Sequence, residues 1–389
     1  MKKKILFIVS NMESGGVSKS MSSLLNEIDT LSYDVDCFIL NPKGIFMSTI
    51  PGDVNVISDE RTSLIFSKFP QNLLKLLKNG FFVDAFIRKI AAFFMLFNKG
   101  FGGWILSKRI YRINKQYDLA VDYNGQHQLY YLIDYIKADK KVTFFHSDYA
   151  KWNYYYNFDK KYFPKVDRIF SISSECVQSL KYFFPSQKNK IGLLENVMSK
   201  ANISKMADYA IDDELDKDVL AVLSIGHLSK SKGTPLALKT AKLLKDKGVL
   251  FKWYFIGRNK DPKLYTRLIK QYGIQNYIVI MGLKPNPYPY LKQADIFVHL
   301  SEFEGKSIAL DEAKLFFKPI VVTNFSTVND QFRNGDNATI TSYNADEIAA
   351  SIIELMRNQN LKEIYKENLK KDAKDNIEQV NKLYSLISH

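Results

Sequence analysis

The chain is poor in cysteine, in long apolar runs and in repeated segments, and each lack excludes a class of protein. Cys37 and Cys176 are its only cysteines, and neither has a CxxC partner or a histidine cluster nearby. A disulfide framework and a zinc site are therefore not expected, and two buried free thiols are. No stretch of about 18 uncharged apolar residues occurs, so no transmembrane helix is expected. The basic start Met1-Lys2-Lys3-Lys4 leads into an apolar run over 5–10. That run is about six residues, shorter than a signal peptide needs, and no small-residue cleavage site follows, so it reads as a first buried strand. The dinucleotide fingerprint GxGxxG is missing, as are low-complexity tracts and short internal repeats.

What is present is the composition of a globular protein: 46% hydrophobic and 25% charged residues over a length of 389. That length suits two or three domains with sizeable cores. The net charge of +14 is uneven. Residues 60–115 hold eleven basic residues against Glu60 and Asp84, a net +9. The same stretch carries ten large aromatics, from Phe66 to Trp104. Basic and aromatic residues interleaved at helical spacing suit an anionic membrane surface. An ordinary amphipathic layer, with its aromatics in the core and its lysines solvated, produces the same pattern. Nucleic acid is the weaker reading, and no nucleic-acid partner is expected.

Short β-rich runs alternate with helical patterns along the whole chain. In the first half the runs fall at 5–10, 35–40, 54–58, 119–123, 142–146, 169–173 and 191–195. In the second they fall at 219–226, 251–257, 277–282, 296–300 and 320–323. Most are continuously apolar, as parallel strands covered on both faces are. Residues 198–218 are polar and charge-rich and read as a linker. A final helix is expected over about 361–389. The pattern predicts two doubly wound Rossmann-like domains, over 1–198 and 199–374, with about 375–389 packing back on the first. Ligands in such folds sit beyond the carboxyl ends of the strands, so informative residues should follow strands.

Three segments do. Asn11-Met12-Glu13-Ser14-Gly15-Gly16-Val17 joins the first strand to the first helix. Its glycines would let backbone N–H groups approach an anion, and a plain tight turn reads equally well. The segment from Ser224 to Gly233, with His227, Lys230 and Lys232, has the same layout in the second domain and suits a diphosphate. The third is Ser301-Glu302-Phe303-Glu304-Gly305-Lys306-Ser307-Ile308-Ala309-Leu310-Asp311-Glu312-Ala313. Glu304 falls in the loop after a strand, and Glu312 lies about two turns into the next helix. Gly305 permits a tight turn, and the amides of Ser307 and Ile308 would point at a phosphate from the helix N-terminus.

The third segment resembles the E-x7-E motif of the retaining GT-B glycosyltransferases, a family that includes glycogen and sucrose synthases and capsular-glycan transferases. Other landmarks are similar in order. Gly15-Gly16-Val17 resembles the N-terminal glycine loop, and His146-Ser147-Asp148 the loop with the active-site histidine. Ser173-Ser174-Glu175 and Glu195-Asn196-Val197 resemble the strand ends before the linker. Gly226 to Gly233 resembles the diphosphate loop, and Pro319-Ile320-Val321-Val322-Thr323 the segment after the motif. The family pattern has Arg where this chain has His227, a place that Lys230 or Arg258 would fill.

The resemblance implies a GT-B fold with the two domains facing a central cleft, and a role for each matching residue. Glu304 would hold donor-sugar hydroxyls, and Glu312 the nucleotide ribose. Lys232 and His227 would meet the diphosphate, together with Gly305, Lys306, Ser307 and Ile308. Gly16 would let the N-terminal loop close over it, and His146 would contact the donor sugar. No metal and no cofactor are implied, because Lys and helix dipoles stabilise the leaving group. Asp34-Val35-Asp36 matches the DxD of metal-dependent GT-A transferases but opens a strand and reads as incidental. Asp122 and Asp148 end strands and would line the cleft or cap loops.

The implied activity is a retaining hexosyl transfer from a nucleotide-sugar donor, UDP by family habit. The acceptor would be a glycan or a lipid-linked glycan, as in capsule synthesis. The implied place is the cytoplasm, with residues 60–115 docking on the inner face of the membrane. A noncatalytic subunit of the same fold and a sugar-nucleotide 2-epimerase remain the alternatives.

Overall fold

A computed structural model describes residues 2–387 apart from 212 and 374. The chain divides into two compact units. The first comprises residues 1–197 and 377–389, and the second residues 198–376.

The first unit holds β1 (Lys3–Val9), β2 (Tyr33–Ile39), β3 (Asn55–Ile57), β4 (Gln116–Asp122), β5 (Lys137–Phe145), β6 (Arg168–Ser171) and β7 (Ile191–Leu193). They form one sheet in the order β3-β2-β1-β4-β5-β6-β7. Every neighbouring pair is parallel, as between Phe7 and Cys37 or Phe7 and Val121. Parallel pairing needs a crossover on each connection, so helices cover both faces and the strands read as apolar runs. One face buries Ile5, Phe7, Val9, Cys37 and Val121, and the other Leu6, Ile8, Phe38 and Ala120.

The second unit holds β8 (Leu220–Ile225), β9 (Phe251–Ile256), β10 (Ile278–Gly282), β11 (Ile296–His299), β12 (Ile320–Thr323) and β13 (Thr339–Thr341). Their order is β10-β9-β8-β11-β12-β13, again parallel throughout. In both sheets the order reverses once, between β1 and β4 and between β8 and β11. The doubly wound α/β class expected for each half is the class observed.

Two expectations fail. Residues 198–218 are no bare linker. Ser199 accepts a hydrogen bond from the Asn202 amide and starts the helix Lys200–Ala207. That helix buries Ile203 and Ala207 in the core of the second unit, at the i, i+4 spacing of one helix face. Nor is 361–389 one helix. Gln359–Asp372 packs in the second unit through Tyr365 and Leu369. That helix ends at Asp372, and Ile377–Val380 and Asn381–Tyr384 belong to the first unit, where Val380, Leu383 and Ile387 enter the core. Tyr384 stacks on Tyr33 with ring centroids 4.5 Å apart.

Between β3 and β4 lie four helices, Glu60–Ile65, Gln71–Lys78, Phe82–Phe97 and Lys99–Ser107. The third of them does not follow the ordinary amphipathic plan. In Phe82–Phe97 the buried residues are Asp84, Ala85 and Ala91, while Phe82, Phe86, Phe93 and Phe97 are exposed. No helix among the described residues is long and apolar enough to cross a membrane.

Candidate functional site

The two places where strand order reverses carry the loops the sequence singles out. In the second unit they are the loop after β8, which bears Lys232, and the loop after β11, which bears Glu304. Neighbouring strands whose crossovers run in opposite directions leave a crevice at their carboxyl ends, and ligands of open α/β sheets lie there.

The β8 loop is seated by glycine. Gly233 has φ 72°, and a Cβ there would lie 2.0 Å from the Leu300 carbonyl oxygen at the end of β11. Only glycine allows that approach. The Ser229 hydroxyl accepts from the Lys232 amide at 3.3 Å, the Ser229 amide donates to Thr234 Oγ1 at 2.9 Å, and the Glu302 amide donates to the Ser231 carbonyl at 2.9 Å. Lys232 is thereby brought to Glu304, and its ammonium donates to Glu304 Oε1.

Two further groups meet the same oxygen. His299 Nε2 lies 2.8 Å from Glu304 Oε1, and the Ser301 hydroxyl donates to it at 2.7 Å. Ser301 Oγ and His299 Nε2 are themselves 3.0 Å apart. Thr327 Oγ1 donates to the Glu304 carbonyl at 3.0 Å, and Thr323 Oγ1 to the Ser301 carbonyl at 2.8 Å, fixing the loop from the β12 side. Burial pushes the Glu304 carboxyl up, but the Lys232 charge and the His299 contact outweigh it and hold the group at about 2. Glu304 is ionised at neutral pH. All these bonds fall on Oε1. Oε2 has no hydrogen-bond partner among the described residues, so one carboxylate oxygen is anchored and the other is free to accept from hydroxyls.

Glu312 lies in the helix Ile308–Leu315 and is 3% exposed. Tyr288 OH donates to its Oε1 at 2.7 Å. The Ser307 amide, expected to face a phosphate, is already used: it donates to Gln331 Oε1 at 3.0 Å. Gln331 Nε2 also donates to the Ser307 carbonyl and to Asp311 Oδ1. Ser307 is buried, and a buried amide must be paired, so the Gln331 side chain takes the place the sequence suggests for a ligand. The Ile308 amide has no such partner among the described residues. Lys306 turns inward as well, with Nζ 3.9 Å from Asp311 and a side chain only 10% exposed. Gly305 sits between Glu304 and Lys306, and His227 is half-buried in the β8 loop. The Leu228 amide donates to the Arg258 carbonyl at 3.0 Å, which sets Arg258 beside that loop.

In the first unit the reversal lies between the loops after β1 and β4, joined by the Ser10 amide donating to Asn124 Oδ1 at 2.9 Å. A Cβ at Gly16 would meet nothing within 4 Å, so no packing among the described residues demands glycine there. His146 follows β5, its ring 4.7 Å from that of Tyr123. Burial lowers its imidazole to about 4, against a hydrogen bond to the Tyr123 backbone, and the ring is neutral at pH 7. His146 Nε2 is buried without a partner among the described residues.

Asp122 and Asp148 serve their own loops. Asp122 accepts from the Asn124 and Gly125 amides and from Thr143 Oγ1, and burial raises its carboxyl to about 6. Asp148 accepts from the Ala150 amide and Ser179 Oγ. Asp36 of the DxD pair is buried against Lys115, Tyr117 OH and Asn55, so it is structural. Among the described residues no group of three His, Cys, Asp or Glu is placed to hold a metal ion.

His299 and Ser301 are the residues that sequence reasoning missed as site groups. Their one signal is a polar pair at the end of an apolar strand, directly ahead of Glu304.

Residues 209–372 match the sequence profile of the family described as Glycosyl transferases group 1. A Campylobacter jejuni protein is 25% identical over 216 residues, which cover 54% of this chain and 57% of that one. It is an N-acetylgalactosamine-N,N'-diacetylbacillosaminyl-diphospho-undecaprenol 4-alpha-N-acetylgalactosaminyltransferase. The putative colanic acid biosynthesis glycosyltransferase WcaL of Salmonella typhimurium is 29% identical over 147 residues, 36% of each chain. The chain thus spans about half, or less, of the length of these curated relatives. In fold it is similar to Anabaena HepE, solved in complex with UDP and glucose, with a TM-score of 0.69 and 14% identity over 98% of both chains. It is similar also to WaaG, a glycosyltransferase involved in lipopolysaccharide biosynthesis, with a TM-score of 0.68 and 13% identity over 99% of both. The two Rossmann-like units have the GT-B fold.

Proposed function

We propose that this chain, whose second unit is a group 1 glycosyl transferase domain, transfers a hexose from a nucleotide sugar to a glycan or lipid-linked acceptor. The transfer serves surface polysaccharide synthesis, retains the anomeric configuration and uses no metal. UDP is the nucleotide the reading favours, since HepE was solved with it. The names of the relatives, one a transferase named for a diphospho-undecaprenol-linked sugar and the other a putative glycosyltransferase of colanic acid biosynthesis, support the acceptor class. The reading places the protein in the cytoplasm.

One observation carries it: the Lys232–Glu304 pair at the reversal of the second sheet, with one carboxylate oxygen anchored and the other open. The open oxygen accepts donor-sugar hydroxyls. Lys232 meets the diphosphate as negative charge builds on the leaving group, and its cation takes the part a metal would otherwise play. His227, flanked by Arg258, adds a second donor that gains charge beside a bound diphosphate. The Ile308 amide and the start of its helix favour the same anion. Ser307 and Lys306 act on the loop rather than on the ligand, because Gln331 and Asp311 hold them. Glu312, fixed by Tyr288, faces the ribose. In the first unit the loop at Gly16 leaves room for an anion, and neutral His146 offers Nε2 as a hydrogen-bonding group rather than a charge.

The test is a thermal-shift screen against UDP-, GDP-, ADP- and dTDP-sugars, followed by transfer assays with wild type and Glu304→Ala. A ligand at about 100 Kd should add about 2.7 kcal/mol of stability. Glu304→Ala should stay folded and lose transfer. No shift with any nucleotide sugar refutes the donor site. Donor binding without transfer or hydrolysis favours the noncatalytic reading, and an epimerised sugar formed without acceptor favours the epimerase.

A further inference from the structure

The helix Phe82–Phe97 is built the wrong way round for a surface helix of a soluble protein. At 100° per residue, Phe82, Phe86, Phe93, Leu96 and Phe97 fall within one face, and they are 58–79% exposed. Its inner face holds Asp84, Ala85 and Ala91 instead. The preceding helix Gln71–Lys78 continues the pattern, with Leu74 and Leu77 outward beside exposed Lys75 and Lys78. Apolar side chains in contact with water over two neighbouring helices are a standing cost, and they mark a surface that something covers.

The charge around this face decides what. Lys68, Lys75, Lys78, Lys89 and Lys99 are exposed along it. From residue 61 to 115 the single carboxylate is Asp84, which is buried and receives Arg109 Nε at 2.8 Å. The face is therefore mostly aromatic and aliphatic, with the long side chain of Lys89 rising within it and the other lysines on the flanking turns, and residues 61–115 add no exposed negative charge to it. Paired with a second copy of itself, it would bring like charges together. Nucleic acid would ask for several cations where the phosphates lie, not for one lysine among Phe82, Phe86, Phe93 and Leu96. An anionic bilayer matches both parts, since acyl chains receive the apolar ridge and headgroups the lysines.

We infer that the helices Gln71–Lys78 and Phe82–Phe97 form a membrane-docking face that lies in the plane of an anionic lipid surface. The helix Phe82–Phe97 is about 24 Å long at 1.5 Å per residue, long enough to lie along the headgroup boundary and too short to span the bilayer. The inference rests on the first unit alone and stands whether or not the second unit transfers sugar.

The experiment is flotation of the full chain with vesicles of phosphatidylcholine alone and of phosphatidylcholine with phosphatidylglycerol. The wild type should float with the anionic vesicles, stay behind with the neutral ones, and be released as salt rises to about 0.5 M. Phe86→Glu/Leu96→Glu changes only outward side chains, so its circular dichroism and melting should match the wild type. Its bound fraction should fall about tenfold. Wild-type recovery that is the same with both vesicle types overturns the inference. So does a stable dimer by light scattering that the double variant dissolves, because the face then belongs to a second copy.

Discussion

At the scale of single residues, the site is organised around one oxygen atom. Lys232, His299 and Ser301 all meet Glu304 at Oε1, which orients the carboxylate and leaves Oε2 outward. The depressed value of Glu304, about 2 against an ordinary 4.5, has a consequence for stability. A carboxyl whose folded value lies below its unfolded one stabilises the fold above the unfolded value and stops doing so as pH falls through the folded value. The Lys232 contribution should thus be present at neutral pH and fade between about 4.5 and 2. In Lys232→Ala the carboxyl loses its cation while burial still pushes it up. Thermal melts of both proteins from pH 7 to pH 3 should show a gap that narrows below about pH 4.5. A gap of equal size at both ends would remove the ion pair from the account.

At the scale of elements, the site depends on how closely two loops approach. Gly233 tucks the turn after β8 against the Leu300 carbonyl, with a positive φ that disfavours any other residue. Gly233→Ala should cost more than about 1 kcal/mol, from the backbone alone and from a clash at 2.0 Å. For a unit of this size that lowers the melting temperature by about 2–4 °C per kcal/mol, and Lys232 should be carried away from Glu304. Gly16→Ala is the opposite case. Nothing lies within 4 Å of the added methyl and φ is ordinary, so stability should hold or rise slightly. A drop in transfer without a drop in melting temperature would then mark Gly16 as making room for ligand. The same contrast explains what the sequence conveyed. The strands announce themselves because parallel pairing buries both faces, and Lys232 and Glu304 because they follow such strands. His299 is hidden inside an apolar run, and its partner is set only by folding. The Ser307 amide is taken by Gln331, 24 residues further on, a partner that no local spacing predicts. The helix Lys200–Ala207 escaped notice because Ile203 and Ala207 are thinly spread among polar residues. The strand β13, Thr339-Ile340-Thr341, holds a single apolar residue and so does not read as a buried run.

At the scale of the whole molecule, the chain passes between the units twice, at 197/198 and again at 376/377. The first unit is therefore completed by the last part of the chain. Val380, Leu383 and Ile387 enter its core beside Leu24, Leu25 and Ile28, and Tyr384 stacks on Tyr33 while its hydroxyl accepts from the Asp29 amide at 2.8 Å. Lys382 Nζ donates to the Leu193 carbonyl at 2.8 Å, tying the segment to the end of β7. Three buried aliphatic side chains at about 1.5–3 kcal/mol each amount to several kcal/mol, a large part of an ordinary domain's margin. A chain ending at Asn376 should accordingly keep the second unit and weaken the first. Tryptophan separates the two signals, since Trp253 is buried in the second unit while Trp104 and Trp152 lie in the first. Urea unfolding of the truncated chain should shift the transition reported by Trp104 and Trp152 to lower denaturant and leave that of Trp253 in place. A single transition shifted as a whole would mean that the two units unfold as one.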